Sequence, residues 1–319
     1  MQKVFIDDGS THIKMIWRDA QGQENLSVTP NTFTAGHTPI HSGNEANYLC
    51  DGNKYTFSKG SSKTLPTTDT SFQYGQLNAV AVHHALHESG LEPQAVDIVV
   101  TLPLSEFYDQ ENVKNVQNIK RKQDTYNQVV TRTKREPFVI NSVKVLPESI
   151  PAGIDIADKL SDGQSLLIID IGGTTTNIAH IGPQFSAIYQ QKCLADTGVS
   201  SIISAVKSYL ARCDEEMADI TIHSILKQRD NREFLESVFN NDSHIDGLFE
   251  IIDSASESLA TTIYQTVKHF GKYTHLMLCG GGGALTKRTL KELTKIKSER
   301  VAVSENPQID LVQGIEKLG

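Results

Sequence analysis

Two short segments of the chain, Ile6-Asp7-Asp8-Gly9-Ser10-Thr11 and Ile169-Asp170-Ile171-Gly172-Gly173-Thr174, share the pattern D-x-G-[SG]-T. Each closes an apolar strand, and the two lie about half a chain apart. One such match arises readily by chance. Two, each ending a strand and turning into a return strand (residues 13–17 and 176–181), predict two related halves that open on the same hairpin.

The pattern also restricts the chemistry. Glycine has no Cβ, so backbone N–H groups can approach an anion closely, and Ser or Thr adds hydroxyl donors. Gly9, Ser10 and Thr11 then form one half of a phosphate clamp, and Gly172, Gly173 and Thr174 the other. A carboxylate beside phosphate needs a cation between them, and hard oxygen ligands near phosphates suit Mg2+, often through water. Asp7 and Asp170 are therefore read as metal-positioning groups, and Lys14 as a positive charge for the β- or γ-phosphate. Either hairpin alone is better explained as a plain β-turn, because Asp and Gly are good turn formers. The pairing favours a site.

The rest of the chain alternates strands with helices, which predicts an α/β architecture with substantially parallel sheets. Leu77, Ala81 and Ala85 recur at helical spacing, residues 95–104 read as a buried strand, and a charged helix is expected over about 106–132. A strand at 143–146 leads through a Pro-punctuated turn into a helix toward Leu160. Residues 25–71 read as polar and turn-rich, with short strand pieces near Tyr48 and at 55–57. Further on, Ile202, Val206 and Leu210 mark one helix, and Phe249 to Phe270 a longer one with Gly271 as its stop. A strand at 275–279 runs into Gly280-Gly281-Gly282-Gly283 and a basic helix. That glycine run can pack flat against an adenine ring or be a tight turn only. No G-x-x-x-x-G-K-[ST] occurs, and Leu285 stands where a dinucleotide fingerprint wants Gly or Ala, which excludes a P-loop and weakens a Rossmann site.

In order and spacing these landmarks resemble the actin, Hsp70 and sugar-kinase superfamily. The match is closest to the ParM/StbA plasmid-segregation actins, through "VFIDDGST", "VAVHHAL", "VLPESIPAG", "LLIIDIGGTT", "GVS" followed by "SAVK", and "GKYTH" before the glycine run. The resemblance covers essentially the whole chain. It departs at Asn177, where an aspartate often follows the threonines, and at the fourth glycine, Gly283. It implies an actin-like ATPase fold of two lobes, 1–160 with 304–319 and 161–303, each a mixed β-sheet flanked by helices, with nucleotide in the cleft between them. It further implies a Mg2+-dependent ATPase (GTP being the alternative nucleotide) whose filaments move plasmid copies apart. A DNA-binding adaptor on a centromere-like site would cap the filament. In this reading Glu148 orients the attacking water and Asp170 holds Mg2+ or its waters, while Gly280, Gly281 and Gly282 lie along the base and Gly198 on the ribose side. Alternatives on the same fold are a sugar or acetate-type kinase and a non-polymerising, chaperone-like ATPase.

Composition is compatible with this reading. A net charge of −8 argues against a broad nucleic-acid surface, so contact with DNA is expected to be indirect. No membrane span or signal-peptide pattern is read, and a cytoplasmic location is expected. The four scattered cysteines lack a C-x-x-C pair and suggest reduced thiols. His83, His84 and His87 invite a metal reading but lack a third ligand, so a solvated or packed helix is expected. The basic runs at 120–123 and 131–136 are expected to be solvated faces.

Overall fold

The computed structural model describes residues 1–39, 45–58, 64–67, 69–215, 217, 219–304, 306 and 309–319. The chain forms two compact units, Met1–Ile156 with Gln308–Gly319, and Ala157–Pro307.

In the first unit, strands β1 (Gln2–Asp8), β2 (His12–Arg18) and β3 (Glu24–Pro30) form a meander. A small sheet follows, containing β4 (Phe33–Ala35), β5 (Glu45–Cys50) and β6 (Asn53–Ser58). Helix α1 (Gln76–Glu88) leads to β7 (Ala95–Leu102), then α2 (Leu104–Phe107) and α3 (Val116–Thr125). Strands β8 (Val130–Arg132) and β9 (Val139–Pro147) and the short helix α4 (Ile154–Ala157) complete this stretch. The main sheet has the order β3-β2-β1-β7-β9, with β1, β7 and β9 parallel. Strand β2 buries Ile13, Met15 and Ile16 completely, and its second half is covered on both faces.

The second unit repeats this plan. Strands β10 (Leu166–Ile171), β11 (Thr176–Ile181) and β12 (Ile188–Leu194) form the meander. Helices α5 (Ser200–Arg212), α6 (Asp219–Lys227), α7 (Arg232–Val238) and α8 (Ser243–Val267) follow. Then come β13 (His275–Cys279), α9 (Gly283–Thr294) and β14 (Val301–Val303). The sheet order is β12-β11-β10-β13-β14, strand for strand the counterpart of the first unit's main sheet. Helices α5 and α8 lay Ile202, Val206, Leu259 and Ile263 over Ile169, Ile171 and Leu278. The final helix, α10 (Asp310–Leu318), belongs to the first unit and packs Leu311, Val312 and Ile315 against Phe5, Ile16 and Val99. Among the described residues, no helix is long and apolar enough to cross a membrane.

Several expectations are corrected. The charged helix over 106–132 is broken into α2, α3 and β8, because Asn115 caps a new helix by accepting from Asn118 N at 3.1 Å. The run at 120–123 is not wholly a solvated face. Lys122 is fully buried, and Arg121 stacks on Tyr74 at 4.1 Å. Residues 25–71 hold more strand than their polarity suggested, and α6 and α7 have no counterpart in the periodicity reading. Helix α8 stops at Val267, capped at Lys268, so Gly271 is not its left-handed terminus.

The histidine run of α1 packs as a helix face. His84 Nδ1 lies 2.8 Å from the Tyr48 hydroxyl, and its ring sits 3.8 Å from that of Phe57. His83 is buried, and burial, aided by nearby His87, pushes its pKa down to about 3. A buried neutral histidine whose folded pKa lies below the unfolded value contributes stability above about pH 6.5 and loses it as pH falls toward 3. From pH 6.5 to 5 the loss is about 2 kcal/mol. Through His83 alone, thermal melts should therefore fall by roughly 4–8 °C over that interval, and His83→Leu should remove that share while leaving the part due to His87, whose pKa burial also lowers.

Candidate functional site

In the first unit, the pairing of β1 with β2 sets Asp7 directly opposite Lys14. Cross-strand partners project from the same sheet face, and Lys14 Nζ donates to Asp7 Oδ2 at 2.6 Å. Asp7 is almost fully buried, Gly9 and Ser10 are half-buried and Thr11 is exposed. Asn31 gathers the loop: its Nδ2 donates to Gly9 O at 2.8 Å and Ser10 O at 3.0 Å. Its own N–H donates to Thr11 O.

Behind this loop lies an ion pair that sequence reasoning missed. Asp8 is fully buried and accepts from Lys122 Nζ, Asn78 Nδ2 (3.1 Å), Thr101 N (3.0 Å) and Tyr126 OH (3.0 Å). Lys122 also donates to Gln73 Oε1 at 2.6 Å and Asn78 Oδ1 at 3.1 Å. Burial opposes ionisation of Asp8, but the Lys122 charge and the surrounding donors outweigh it and hold the carboxyl below its usual range. The only sequence signal was a lysine inside a charged run, which looks the same whether solvated or buried.

Glu148 follows β9 and is half-buried. Its N–H donates to Leu102 O at 2.7 Å, next to the Thr101 that holds Asp8.

In the second unit, Asp170 stands opposite Asn177 on β11 and beside Cys279 on β13. Gly172 N donates to Thr175 O at 2.9 Å, closing the turn. The start of α5 is bonded to this loop, with Val199 N donating to Gly172 O at 3.0 Å and Ser200 N to Gly173 O at 2.8 Å. Gly198 is buried so closely against it that a Cβ would sit 2.6 Å from Gly173 O. The glycine run joins the same corner. Gly280 has φ +72°, and a Cβ there would lie 2.5 Å from Asp170 Oδ1. Gly282 N donates to Ile171 O at 3.0 Å, while Gly281 is exposed. Asp170, Gly172, Gly173, Gly198, Gly280 and Gly282 are thus brought together, and Thr174 lies half-buried in the turn between β10 and β11.

Each unit by itself offers oxygen donors that suit a hard cation. Asn177 Oδ1 is buried beside Asp170 with no hydrogen-bond partner among the described residues, an acceptor left open for a metal-bound water or the ion itself. Asp7 offers a carboxylate already held in place by Lys14. Mg2+ is commonly held by one or two carboxylates plus phosphates, so a dedicated protein cage is not required. Among the described residues no group of three or more His, Cys, Asp or Glu forms such a cage.

Comparison with known proteins identifies the lineage. Residues 2–159 match the family model for the N-terminal part of plasmid segregation protein ParM, and residues 160–318 match that for its C-terminal part. The chain belongs to the ParM family. No curated protein matches it by sequence at a significant level. Among solved structures, the archaeal actin homolog Ta0583 superposes with a TM-score of 0.72 at 18% identity, over 100% of this chain and 99% of that one. A subunit of a 15-stranded ParM filament from Clostridium botulinum gives 0.69 at 16%, over 99% and 98%. A Bacillus thuringiensis ParM with ATP gives 0.64 at 12%, over the full length of both. At these identities the structural likenesses establish the actin-like fold. Family membership establishes the plasmid-segregation lineage, and it gives no support to the small-molecule kinase or chaperone-like alternatives.

Proposed function

We propose that this ParM-family chain is a filament-forming ATPase. Its two hairpin loops bind the polyphosphate of ATP with Mg2+, and hydrolysis acts as the timer for disassembly. The observation that carries the reading is the equivalence of the two hairpins: each opens a sheet of the same strand order, with Asp7 and Asp170 at matching registers before a glycine turn. Solved relatives described with ADP and with ATP, and one described as a filament, support it. GTP is the alternative nucleotide.

Phosphoryl transfer is mainly positioning and electrostatic stabilisation. Backbone N–H and hydroxyl groups of Gly9, Ser10 and Thr11, and of Gly172, Gly173 and Thr174, bind the phosphates. Lys14 holds Asp7 and adds positive charge at the phosphates. Asp7 and Asp170 would hold Mg2+, directly or through water, and the ion would supply charge neutralisation at the phosphates. Glu148 accepts a hydrogen bond from the attacking water and orients it. Gly280, Gly281 and Gly282 line the base, and Gly198, besides buttressing the second loop, lies toward the ribose. Filaments of the protein act in the cytoplasm on plasmid DNA through a DNA-binding adaptor, without direct nucleic-acid or membrane contact.

Glu148→Ala tests the catalytic part. It should assemble with Mg-ATP, seen by right-angle light scattering, while phosphate release falls at least about a hundredfold, the scale of a lost general base. Release at the parent rate would remove Glu148 from the mechanism. Absence of any ATP-dependent scattering by the parent would overturn the filament reading.

A further inference from the structure

The residue after Glu148 has an unusual backbone. Ser149 is fully buried with φ +69° and ψ −43°, and Ile150 N donates back to Glu148 O at 2.8 Å. A hydrogen bond across three residues with the centre at positive φ is the strained form of γ-turn, rare for a residue carrying a Cβ. Such strain persists only where the surroundings over-determine it, and it concentrates at functional sites.

Two anchors over-determine it here. Upstream, Glu148 N is tied to Leu102 O at 2.7 Å. Downstream, the turn Ile150–Gly153 is covered by α10. The seat is Gly314, where a Cβ would lie 2.0 Å from Pro151 O and 2.3 Å from Pro151 C. Both atoms are backbone and cannot swing aside, and the proline ring stiffens the segment that would have to move. Only glycine lets α10 approach this closely.

We propose that α10 is a positioning element for Glu148: Gly314, seated on the Pro151 peptide, holds Ser149 in its strained turn and so fixes the backbone from which Glu148 projects. A side chain at position 314 displaces Pro151, the displacement passes through Ser149, and Glu148 leaves its place. The Asp7 hairpin meets α10 through Leu311, Val312 and Ile315 rather than through Gly314, so it keeps its place. The catalytic role of Glu148 assumed here is the one proposed above.

The test compares Gly314→Ala with Val312→Ala, which removes buried volume from the same helix without facing Pro151. Phosphate release, Mg-ATP affinity by calorimetry, melting temperature and hydrogen exchange over residues 147–153 are read for each. Gly314→Ala should lower kcat about ten- to a hundredfold, the penalty of roughly ångström-scale misplacement. Its Mg-ATP Kd should stay within about twofold of the parent, and exchange at the Ile150 amide should accelerate. Val312→Ala should lower the melting temperature with kcat retained. Gly314→Ala with parental kcat, or an equal kcat loss in Val312→Ala, overturns the proposal. If Gly314→Ala does not fold, Ser149→Gly decides. It frees the turn without opening the core, so a kcat loss at an unchanged or raised melting temperature supports the proposal and an unchanged kcat overturns it. Glu148→Ala, run alongside, separates the two ideas: parental hydrolysis there refutes the role of Glu148 itself, whereas a dead Glu148→Ala beside an active Gly314→Ala refutes only the role of α10.

Discussion

Lys122→Met is expected to destabilise the protein by about 3–5 kcal/mol, because it leaves the Asp8 carboxylate in a site with no exposure and no countercharge. Methionine fills most of the volume of the lysine stem, so the loss reflects charge rather than packing. The remaining donors to Asp8, from Asn78, Thr101 and Tyr126, soften the loss without replacing an ammonium. Urea unfolding followed by circular dichroism measures it. The double variant Asp8→Asn/Lys122→Met should recover most of the stability, because removing both charges leaves neither one buried alone. A single variant as stable as the parent would mean that water reaches Asp8.

Gly280→Ala is expected to cost about 2–5 kcal/mol and to weaken Mg-nucleotide binding at least about tenfold. Left-handed backbone penalises a Cβ by roughly 1–2 kcal/mol, and overpacking adds about 1–3 kcal/mol. Here φ is +72°, and the added atom would meet Asp170 Oδ1 and Ile171 O at 2.5 Å, so Asp170 must move or the strand end must open. Gly281→Ala is the control. Its Cβ would meet only Val199 Cγ2, at 4.0 Å, so stability should change by less than about 0.5 kcal/mol. Calorimetric titration with Mg-ATP and thermal melts of both variants separate the outcomes. If Gly281→Ala lost as much stability as Gly280→Ala, steric crowding at Asp170 would not be the cause.

The hairpins at Asp7 and Asp170 were legible because their signal is local: an apolar run, a glycine turn and a return strand within about sixteen residues. The return strand of Lys14 followed from the same run, and α1, β7, β13 and the glycine corner were marked by periodicity and punctuation. The middle of the first unit was not legible. Residues 106–132 are polar and charged with few apolar positions, and Asn115, by capping α3, divides them. Asn31, which ties down Gly9 and Ser10, gave no signal, because a single asparagine in a turn-rich stretch looks the same whatever it bonds.

From its sequence alone, the chain declares two strand-turn-strand units with the same chemistry, since glycine spacing, hydroxyls and a strand-ending carboxylate are properties of neighbouring residues. Tertiary structure alone decides that Asp8, beside the Asp7–Lys14 pair, carries a second and fully buried ion pair, that Lys122 is its partner, that Gly198 and Gly280 converge on the Asp170 strand end, and that Gly314 bears on the turn after Glu148. These contacts join residues tens to more than a hundred positions apart. Desolvation and close packing create them only once the chain has folded, and no local pattern carries their energy.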